Sequence, residues 1–415
     1  MDVLDKCRSW TTDHLRSIGL DSYYRTVDDC FGGTEAHFEG RRVVIAASHD
    51  YLGLSGDDRV REAAVEAVRR YGTSLGCSRA VSGSLALHED LEDRLARMLG
   101  QQAAAVVPSG FQANLMLAPL LGTGDVAFSD FANHASLRET VGLSAGEERR
   151  FRHADLAQLE QMLDAAPSQA GKVVLTDGMF SVDGDVCDLP GITRLARACG
   201  ARVVVDSSHD LGVLGVNGAG VTEHFGTGAD IVTSALSKSL ASVGGVIAGP
   251  SEMIHYLRFH ARAFTFTAAA SPANVAAALA ALEILQSEPE RRIRLLTLAE
   301  RLHNGLRAMG FDTGGSTTPV VPVHVGERMR CFRTWQALCE AGVFSTPMVY
   351  PAVPEGSELL RITLTAAHTD GHLEQVLTAF EQVGRKEGII PDSTPDTYTP
   401  VRITGLPVQA QARPV

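Results

Sequence analysis

The chain has 415 residues, of which 45% are hydrophobic and 21% charged, and its 40 glycines are typical of an α/β protein with many tight turns. Its net charge of −12 disfavours nucleic acid and anionic membranes as partners, since both attract a basic face. The sequence shows no apolar run of membrane-spanning length, no secretory signal pattern and no metal-ligand spacing among its 14 histidines. It therefore predicts a cytoplasmic protein with no membrane span and no metal, whose seven scattered cysteines are reduced thiols.

Residues 1–48 are predicted to form a short helix and a connecting arm, and two amphipathic helices follow at 57–72 and 87–100. Short apolar runs then alternate with helical patterns. The predicted strands are AAAVV (103–107), DVAFSD (125–130), KVVLTDG (172–178), ARVVVD (201–206), ADIVTSALS (229–237) and GGVIAG (244–249). Runs without polar alternation suit strands that are covered on both faces, so the pattern predicts an α/β fold with a mainly parallel sheet.

A second, smaller α/β unit is predicted after a long Ala/Leu-rich helical stretch at 273–310. It contains a strand at 320–325, a helix at 331–342, a strand at 359–365 and a helix at 370–384. The end of the chain is rich in proline and polar residues and predicts a disordered tail. The predicted division is an N-terminal arm (1–48), a large domain (49–285), a small C-terminal domain (286–390) and the tail (391–415).

Polar residues directly after the predicted strands are the first candidates for a site, because open α/β sheets bind ligands at the carboxyl ends of their strands. Ser109 and Gly110 open a helix whose free N–H groups could hold a phosphate, or they form an ordinary helix cap. Asp206 ends a buried strand and needs a cationic partner, either in a structural ion pair or on a ligand. Lys238 lies among small residues, where a shielded amine can form a Schiff base.

An imine-forming lysine, a carboxylate for a protonated ring nitrogen and a phosphate cradle together match the three handles of pyridoxal 5′-phosphate (PLP). Each feature alone is a weak indication of PLP. The three together, in this order and each at the end of a strand, are a strong one. The predicted cofactor is therefore PLP.

Residues 21–385 resemble the α-oxoamine synthase family of fold-type I PLP enzymes. That fold has a large, mainly parallel-sheet domain and a smaller C-terminal α/β domain. The motifs that carry the resemblance are SHDYLGLS, GCSRAVSGSLALHEDLE, PSGFQAN, DFANHAS, DGMFSVDGDVCDL, VDSSHDLGVLG, LSKSLASVGG and YPAVPEGSELLRITLTAAHTD. The family implies a PLP-dependent acyltransferase that condenses an amino acid with an acyl thioester and releases carbon dioxide, giving an α-amino ketone.

The resemblance implies that Lys238 binds the PLP aldehyde and acts as base, while Asp206 keeps the ring nitrogen protonated. Other implied cofactor contacts are stacking by His134, hydrogen bonds to the phenolic oxygen from His209 and Ser181, and phosphate contacts from Ser109, Gly110 and Phe111. Polarisation of the thioester carbonyl is left open among His134, His209 and His49. Arg361 is implied to hold the substrate carboxylate, and Arg25 is either a second carboxylate ligand or a surface arginine.

Several positions depart from the family pattern. Ala235 occupies a position where threonine usually contacts the phosphate, and Ser234 or Ser237 is expected to compensate. The other departures are Ser207 for a glutamate, Cys77 for a glycine, and His49 for an asparagine that usually helps to hold the substrate, so that His49 is expected to be a substrate-binding residue. Ser78 lies where glycine-using relatives have threonine, which favours a larger amino acid such as alanine or serine.

The family also implies a homodimer, with residues 264–272 reaching the partner's site and Thr267 contacting its phosphate. The thioester is carried on coenzyme A or on an acyl carrier protein. Two alternatives stay open: another carbanion outcome, such as aldol cleavage or non-decarboxylating condensation, and a degenerate cofactor-binding partner subunit. Retention of Lys238 argues against the degenerate subunit.

Overall fold

The computed structural model describes residues 2–8, 12–17, 22–391 and 397–405. These residues form two compact units. The small unit comprises the described residues of 1–48, 298–364 and 368–402, and the large unit comprises 49–297, 365–367 and 403–405. The grouping differs from the predicted division in joining residues 1–48 to the C-terminal unit, so the four-part division stays a prediction.

The helices and strands are numbered along the chain. Up to residue 48 they are α1 (Asp5–Arg8), α2 (Thr12–Ser17), β1 (Asp29–Phe31), β2 (Glu35–Phe38) and β3 (Arg41–Ile45). The large unit contains α3 (Asp58–Tyr71), α4 (Ala86–Met98), β4 (Ala103–Val107), α5 (Gly110–Leu115), β5 (Val126–Asp130), α6 (Ala135–Leu143), β6 (Glu147–Phe151), α7 (Leu156–Asp164), β7 (Lys172–Asp177), α8 (Leu189–Ala198), β8 (Arg202–Asp206), α9 (Val221–Phe225), β9 (Ile231–Ala235), β10 (Gly245–Gly249), α10 (Ser251–His260), α11 (Arg262–Thr265) and α12 (Pro272–Ser287). The remaining elements are α13 (Pro289–Met309), β11 (Val321–His324), α14 (Arg328–Glu340), β12 (Val343–Phe344), β13 (Thr346–Met348), β14 (Leu359–Ile362) and α15 (Asp370–Lys386).

The large unit is built on a seven-stranded sheet in the order β4-β10-β9-β8-β7-β5-β6. The strands from β9 to β6 pair in parallel, and β10 runs antiparallel to both β4 and β9. Alternate side chains of β4 enter different cores, with Ala104 and Val106 in one and Ala105 and Val107 in the other. The sheet is therefore covered on both faces, and the predicted mainly parallel α/β sheet is confirmed.

The small unit contains two sheets, ordered β1-β2-β3-β12 and β11-β14-β13. Its core packs around the buried side chains of Trp335, Phe332 and Phe380. The prediction of a helix and connecting arm for residues 1–48 is incomplete, because β1 to β3 form antiparallel pairs there. These strands escaped sequence reading because they are short and β3 begins with two exposed arginines, so that their apolar signal is weak.

The single helical stretch predicted at 273–310 is two helices, α12 and α13. The break falls at Glu288–Pro289, since proline has no N–H and disfavours helical geometry in the residue before it.

Two side chains of the predicted disordered tail, Val401 and Ile403, are buried, and disorder of the tail stays a prediction. Val401 and Ile403 are 5% and 3% exposed. The Asn304 side chain accepts from the Val401 N–H at 2.7 Å and donates to the Val401 carbonyl at 3.3 Å, so it satisfies both backbone groups of Val401. The tail positions 392–396 and 406–415 lie outside the described residues.

In the part of the chain that the structure describes, no helix is long and apolar enough to cross a membrane. Within the same residues, no group of three or more His, Cys, Asp or Glu side chains could hold a metal ion.

Candidate active site

A cavity of about 270 Å³ lies at the carboxyl ends of the central strands of the large unit. It is lined by Ser109, Gly110, Phe111, His134, Ser136, Asp177, Asp206, Ser208, His209, Ala235, Ser237 and Lys238. Eight of the residues predicted from the sequence therefore meet in one place: Ser109, Gly110, Phe111, His134, Asp206, His209, Ser237 and Lys238. A larger cavity of about 520 Å³ opens where β7, β8 and β9 begin, and it contains none of the predicted site residues.

Lys238 reaches the cavity from the turn that joins β9 to β10. The Leu236 N–H donates to the Gly244 carbonyl, and the Lys238 carbonyl accepts from the Ala241 N–H, both at 2.9 Å. These bonds close the turn, so the half-buried lysine is presented at the end of the strand.

Asp206 is fixed at the end of β8 with only 5% of its surface exposed. Its Oδ2 accepts from Asn114 Nδ2 at 2.6 Å, and its Oδ1 accepts from the Ser208 N–H at 2.9 Å. Asn114 is itself held by Thr233, whose hydroxyl donates to its amide oxygen at 2.6 Å. The carboxylate is thus oriented by donors and still lines the cavity, as a partner for a cation must.

His134 caps α6 and belongs to the same network. Its Nδ1 accepts from the Ser136 hydroxyl at 2.7 Å and from the Ser136 N–H at 3.3 Å, so the ring proton lies on Nε2. The Ser136 hydroxyl accepts in turn from Asn114 Nδ2 at 2.8 Å. Burial lowers the pKa of His134, against the raising effect of the Asp206 carboxylate, and the ring is therefore neutral at pH 7.

His209 is 7% exposed and is oriented by two residues of the SHDYLGLS motif. The Tyr51 hydroxyl lies 2.7 Å from His209 Nδ1, and the His49 ring packs edge-on with 5.1 Å between centroids. The roles predicted for His49 stay predictions, and Tyr51 adds a contact to His209 that sequence reasoning missed.

Asp177 adds a second carboxyl group beside Asp206. Burial, followed by repulsion from the Asp206 carboxylate, raises the pKa of Asp177 well above its usual value. Its Oδ2 accepts the His134 N–H at 3.2 Å, whereas its buried Oδ1 has no hydrogen-bond partner among the described residues. Asp177 is therefore harder to ionise than an ordinary carboxyl group.

Comparison with known proteins identifies the family. Residues 42–380 match the family Aminotransferase class I and II. An 8-amino-7-oxononanoate synthase from Thermosipho melanesiensis is 38% identical over 381 residues, which cover 91% of this chain and 97% of that protein. A serine palmitoyltransferase from Sphingobacterium spiritivorum is 37% identical over 377 residues, covering 89% and 94% respectively.

The chain belongs to the α-oxoamine synthase family. A serine palmitoyltransferase from S. paucimobilis, solved with bound PLP and myriocin, is 31% identical to this α-oxoamine synthase, with a TM-score of 0.91. The match covers 94% of this chain and 100% of the S. paucimobilis chain. The fold-type I architecture, the PLP cofactor and the acyltransferase class predicted from the sequence are thereby confirmed. The confirmed reaction class is decarboxylative condensation of an amino acid with an acyl thioester.

The cavity of this α-oxoamine synthase fits PLP on its own geometry. A Cβ added to Gly110 would lie 2.6 Å from the Ala235 Cβ, so only glycine lets the start of α5 approach the end of β9 this closely. Asp206 offers a buried carboxylate for the ring nitrogen, and Lys238 offers an amine for the aldehyde. The orphaned Oδ1 of Asp177 adds to an excess of buried carboxyl oxygens that a protonated ring nitrogen would offset.

Three predicted cofactor contacts of this α-oxoamine synthase lie outside the cavity lining. The Ser234 hydroxyl, 1% exposed, donates to the carbonyls of Ser207 and Ala235 at 3.2 and 3.3 Å. Ser181 lies in the turn enclosed by the bridged residues Met179 and Val186. The roles predicted for Ser181, Ser234 and Thr267 stay predictions, although Thr267 accepts from Gln112 Nε2 on α5 at 3.2 Å.

The predicted substrate ligands lie in different parts of the chain. Ser78 belongs to a tight loop of the large unit, where its carbonyl accepts from the Gly83 N–H at 2.9 Å. Arg361 is a half-buried residue of β14 in the small unit. Arg25, also in the small unit, pairs with Glu39 and lies over the Phe38 ring at 5.3 Å, as expected of a structural arginine. The substrate roles of Ser78, Arg361, Arg25 and His49 all stay predictions.

A charged histidine braces the loop that carries Ser181. His153 Nδ1 lies 3.0 Å from Asp130 Oδ1, and its Nε2 lies 2.8 Å from Asp185 Oδ2. Hydrogen bonds to Asp130 and then Asp185 raise the pKa of His153 to about 10. The end of β5 is thus joined through one imidazolium to the loop after β7.

We expect the free energy of unfolding to fall as pH rises from about 6.5 to 10, because this folded-state pKa lies above the unfolded value. The contribution is fully present below the unfolded pKa and is lost through the folded one. Between pH 7 and pH 10, the free energy of unfolding of the parent protein should fall by about 2 kcal/mol more than that of His153→Gln, after allowance for solvent screening. Urea denaturation at the two pH values measures this difference. His260→Gln, at an exposed histidine, is the control; an unchanged slope in His153→Gln would contradict the assignment.

Proposed function

We propose that this α-oxoamine synthase joins serine or alanine to an acyl thioester, releasing carbon dioxide and the free thiol and giving an α-amino ketone. The observation that carries the proposal is the single cavity in which Lys238, Asp206, His134 and His209 meet. When bound there, PLP supplies an aldehyde carbon that takes up an amine and a ring that accepts the electron pair left at the substrate α-carbon.

Lys238 has two roles in this proposal. Its Nζ would hold the cofactor at the aldehyde carbon, and as a free amine it would take the proton from the substrate α-carbon. Asp206 keeps the ring nitrogen protonated, since its carboxylate is fixed by Asn114 and the Ser208 N–H. Gly110 and Phe111 line the cavity at the start of α5, where their N–H groups would hold the phosphate.

His134 is the donor that we assign to the thioester carbonyl. Its ring is neutral, and the proton on Nε2 is available because Nδ1 accepts from Ser136. His209 is engaged at Nδ1 by Tyr51, which suits a fixed contact to the phenolic oxygen of the cofactor. The open choice among the three histidines is therefore made in favour of His134.

Arg361 is the residue that we assign to the substrate carboxylate. A guanidinium can hold a carboxylate with two parallel hydrogen bonds. The other candidate, Arg25, pairs with Glu39 and lies over the Phe38 ring, so its guanidinium already has a carboxylate partner of its own chain.

A homodimer is the assembly that we assign, with the segment 264–272 contributing to the partner's site. Large apolar side chains are exposed on or beside α5, α10 and α11, namely Phe111 (43%), Tyr256 (40%), Phe259 (70%) and Phe266 (82%). Solvent-exposed aromatic side chains on neighbouring elements are typical of a surface that is covered in an assembly. Thr267 directly follows Phe266, which supports its predicted contact to the partner's phosphate.

The donor thioester is carried on coenzyme A or on an acyl carrier protein. Both donors are anionic, coenzyme A through its phosphates and a carrier protein through its acidic surface, so the net charge of −12 does not choose between them. The two arms of the test below separate these donors.

The amino acid is tested by supplying the holoenzyme with glycine, alanine or serine together with palmitoyl-CoA or palmitoyl-acyl carrier protein, and measuring carbon dioxide release. We expect kcat/KM to be at least about tenfold higher with serine or alanine than with glycine, because Ser78 lacks the methyl group of threonine. Ser78→Thr should lower kcat/KM for serine and alanine about tenfold and spare glycine.

Ser168→Thr, at an exposed serine, is the matched control and should leave all three values within about twofold. A preference for glycine would overturn the assignment of the amino acid. Absence of carbon dioxide release with every thioester would overturn the condensation itself.

A further inference from the structure

The hydroxyl of Ser208 lines the cavity, and its oxygen is held by a hydrogen bond. Its Oγ accepts the backbone N–H of Ala235 at 2.8 Å. That bond uses an oxygen lone pair and leaves the hydroxyl proton free to be donated. Among the described residues, no protein acceptor takes that proton, so the hydroxyl can rotate to donate it into the cavity that Ser208 lines.

Ser208 stands next to the corner where β9 ends against α5. Its bonding partner, Ala235, ends β9, and a Cβ added to Gly110 would lie 2.6 Å from the Ala235 Cβ. Ala235 itself offers only a methyl group to this corner. The hydrogen bond from the Ala235 N–H thus holds the Ser208 hydroxyl next to residue 235, whose alanine side chain has no hydroxyl group.

The neighbouring serines differ in what they can reach. The Ser234 hydroxyl is 1% exposed and is used by the carbonyls of Ser207 and Ala235. Ser237 lines the cavity but is solvent-exposed, without the fixed bond that holds Ser208. Ser208 is the one of the three whose hydroxyl both lines the cavity and is held by a backbone N–H.

We propose that Ser208 is a cofactor-binding residue, whose hydroxyl donates to the phosphate-bearing arm of PLP and replaces the hydroxyl absent from position 235. A hydrogen bond to a phosphate anion is charge-assisted and stronger than one between neutral groups. Because the Ala235 N–H orients the oxygen in advance, little side-chain entropy is lost when the bond forms. The inference rests on PLP and is independent of which amino acid or thioester the enzyme uses.

The test measures binding to the apoprotein, without amino acid or thioester, so its outcome is separate from that of the condensation. Full-length apoprotein is titrated with PLP and with pyridoxal, which lacks the phosphate, and Kd is read from protein fluorescence. Ser208→Ala should raise the Kd for PLP about tenfold and change the Kd for pyridoxal less than about twofold. Ser168→Ala, at an exposed serine outside the cavity lining, is the control and should leave both values within about twofold.

A second variant moves the hydroxyl. Ser208→Ala combined with Ala235→Ser returns a hydroxyl to the same corner and should restore the Kd for PLP to within about threefold of the parent protein. If Ser208→Ala lowers the melting temperature of the apoprotein, Ser208→Cys, which keeps the shape with a weaker donor, must show the same PLP-specific loss. Equal losses for PLP and pyridoxal, or no loss for PLP, would overturn the proposal.

Discussion

Lys238→Ala is expected to lower kcat for the condensation by a factor on the order of 10³ or more, because one amine serves as both the covalent anchor and the base. The side chain lies at the surface of the cavity and is half-buried, so its removal leaves no large void. The variant should therefore fold and still hold PLP without a covalent link. Carbon dioxide release measures the activity, and borohydride reduction followed by mass spectrometry measures the covalent link.

Lys172→Ala is the matched control, since Lys172 begins β7 and its Nζ donates to the Cys199 carbonyl at 3.2 Å. It should keep both full activity and the pyridoxyl label at Lys238. A Lys238→Ala protein that still carries the label, or that keeps more than about a tenth of the activity, would contradict the assignment of the anchor.

The residues at the ends of the central strands could be predicted from sequence because two regularities act together there. Buried parallel strands read as apolar runs, and the ligand site lies where those runs end in polar residues. Lys238, Asp206 and Gly110 each meet that description, and all three line one cavity. Their placement follows from the topology of the sheet, which composition and periodicity already indicated.

The network behind those residues could not be predicted in the same way. Asn114 lies inside α5, Thr233 inside β9 and Ser136 inside α6, and each contributes by a contact made only after the elements pack. The signal available was weak: a polar residue inside a short helix or a buried strand, whose partner is distant in the sequence. Tyr51 is of the same kind, since its partner His209 is 158 residues away along the chain.

The missed strands have a different cause. Strand β6 reads EERRF and carries its charges because it is the edge of the large sheet, where only Phe151 is fully buried. An edge strand with charged side chains resembles a loop in sequence while it protects the sheet from pairing with other chains. Apolar patterning therefore identifies central strands and overlooks edges such as β6.

Glu92 is expected to give the largest loss of stability among the single substitutions considered. It lies on α4 with 3% exposure and accepts from Arg79 in two bonds of 2.8 and 3.1 Å. It also accepts from Arg258 at 2.9 Å and from the Val106 N–H at 2.9 Å. Helix, strand and loop are thus joined at one buried carboxylate.

Glu92→Ala should lower the free energy of unfolding by about 3–5 kcal/mol, measured by urea denaturation, since it leaves the Arg79 charge buried without its partner. Glu66→Ala, at an exposed glutamate 3.8 Å from Arg69, is the control and should cost no more than about 0.5 kcal/mol. A loss below about 1 kcal/mol for Glu92→Ala would contradict a net role for the buried cluster.

The combined variant Glu92→Leu with Arg79→Met separates the value of the ion pair from the cost of breaking it. Replacing both charges by apolar groups removes the desolvation penalty of this pair together with its attraction. Arg258 and the Val106 N–H lose their acceptor in both variants, so we expect the double variant to cost less than Glu92→Ala alone. Arg79 directly follows Ser78, and its guanidinium also donates to Ser84 at 2.9 Å, which ties the Ser78 loop to α4. If the double variant is stable but loses its discrimination between serine and glycine, the ion pair is retained to shape that loop, and its contribution to stability is secondary.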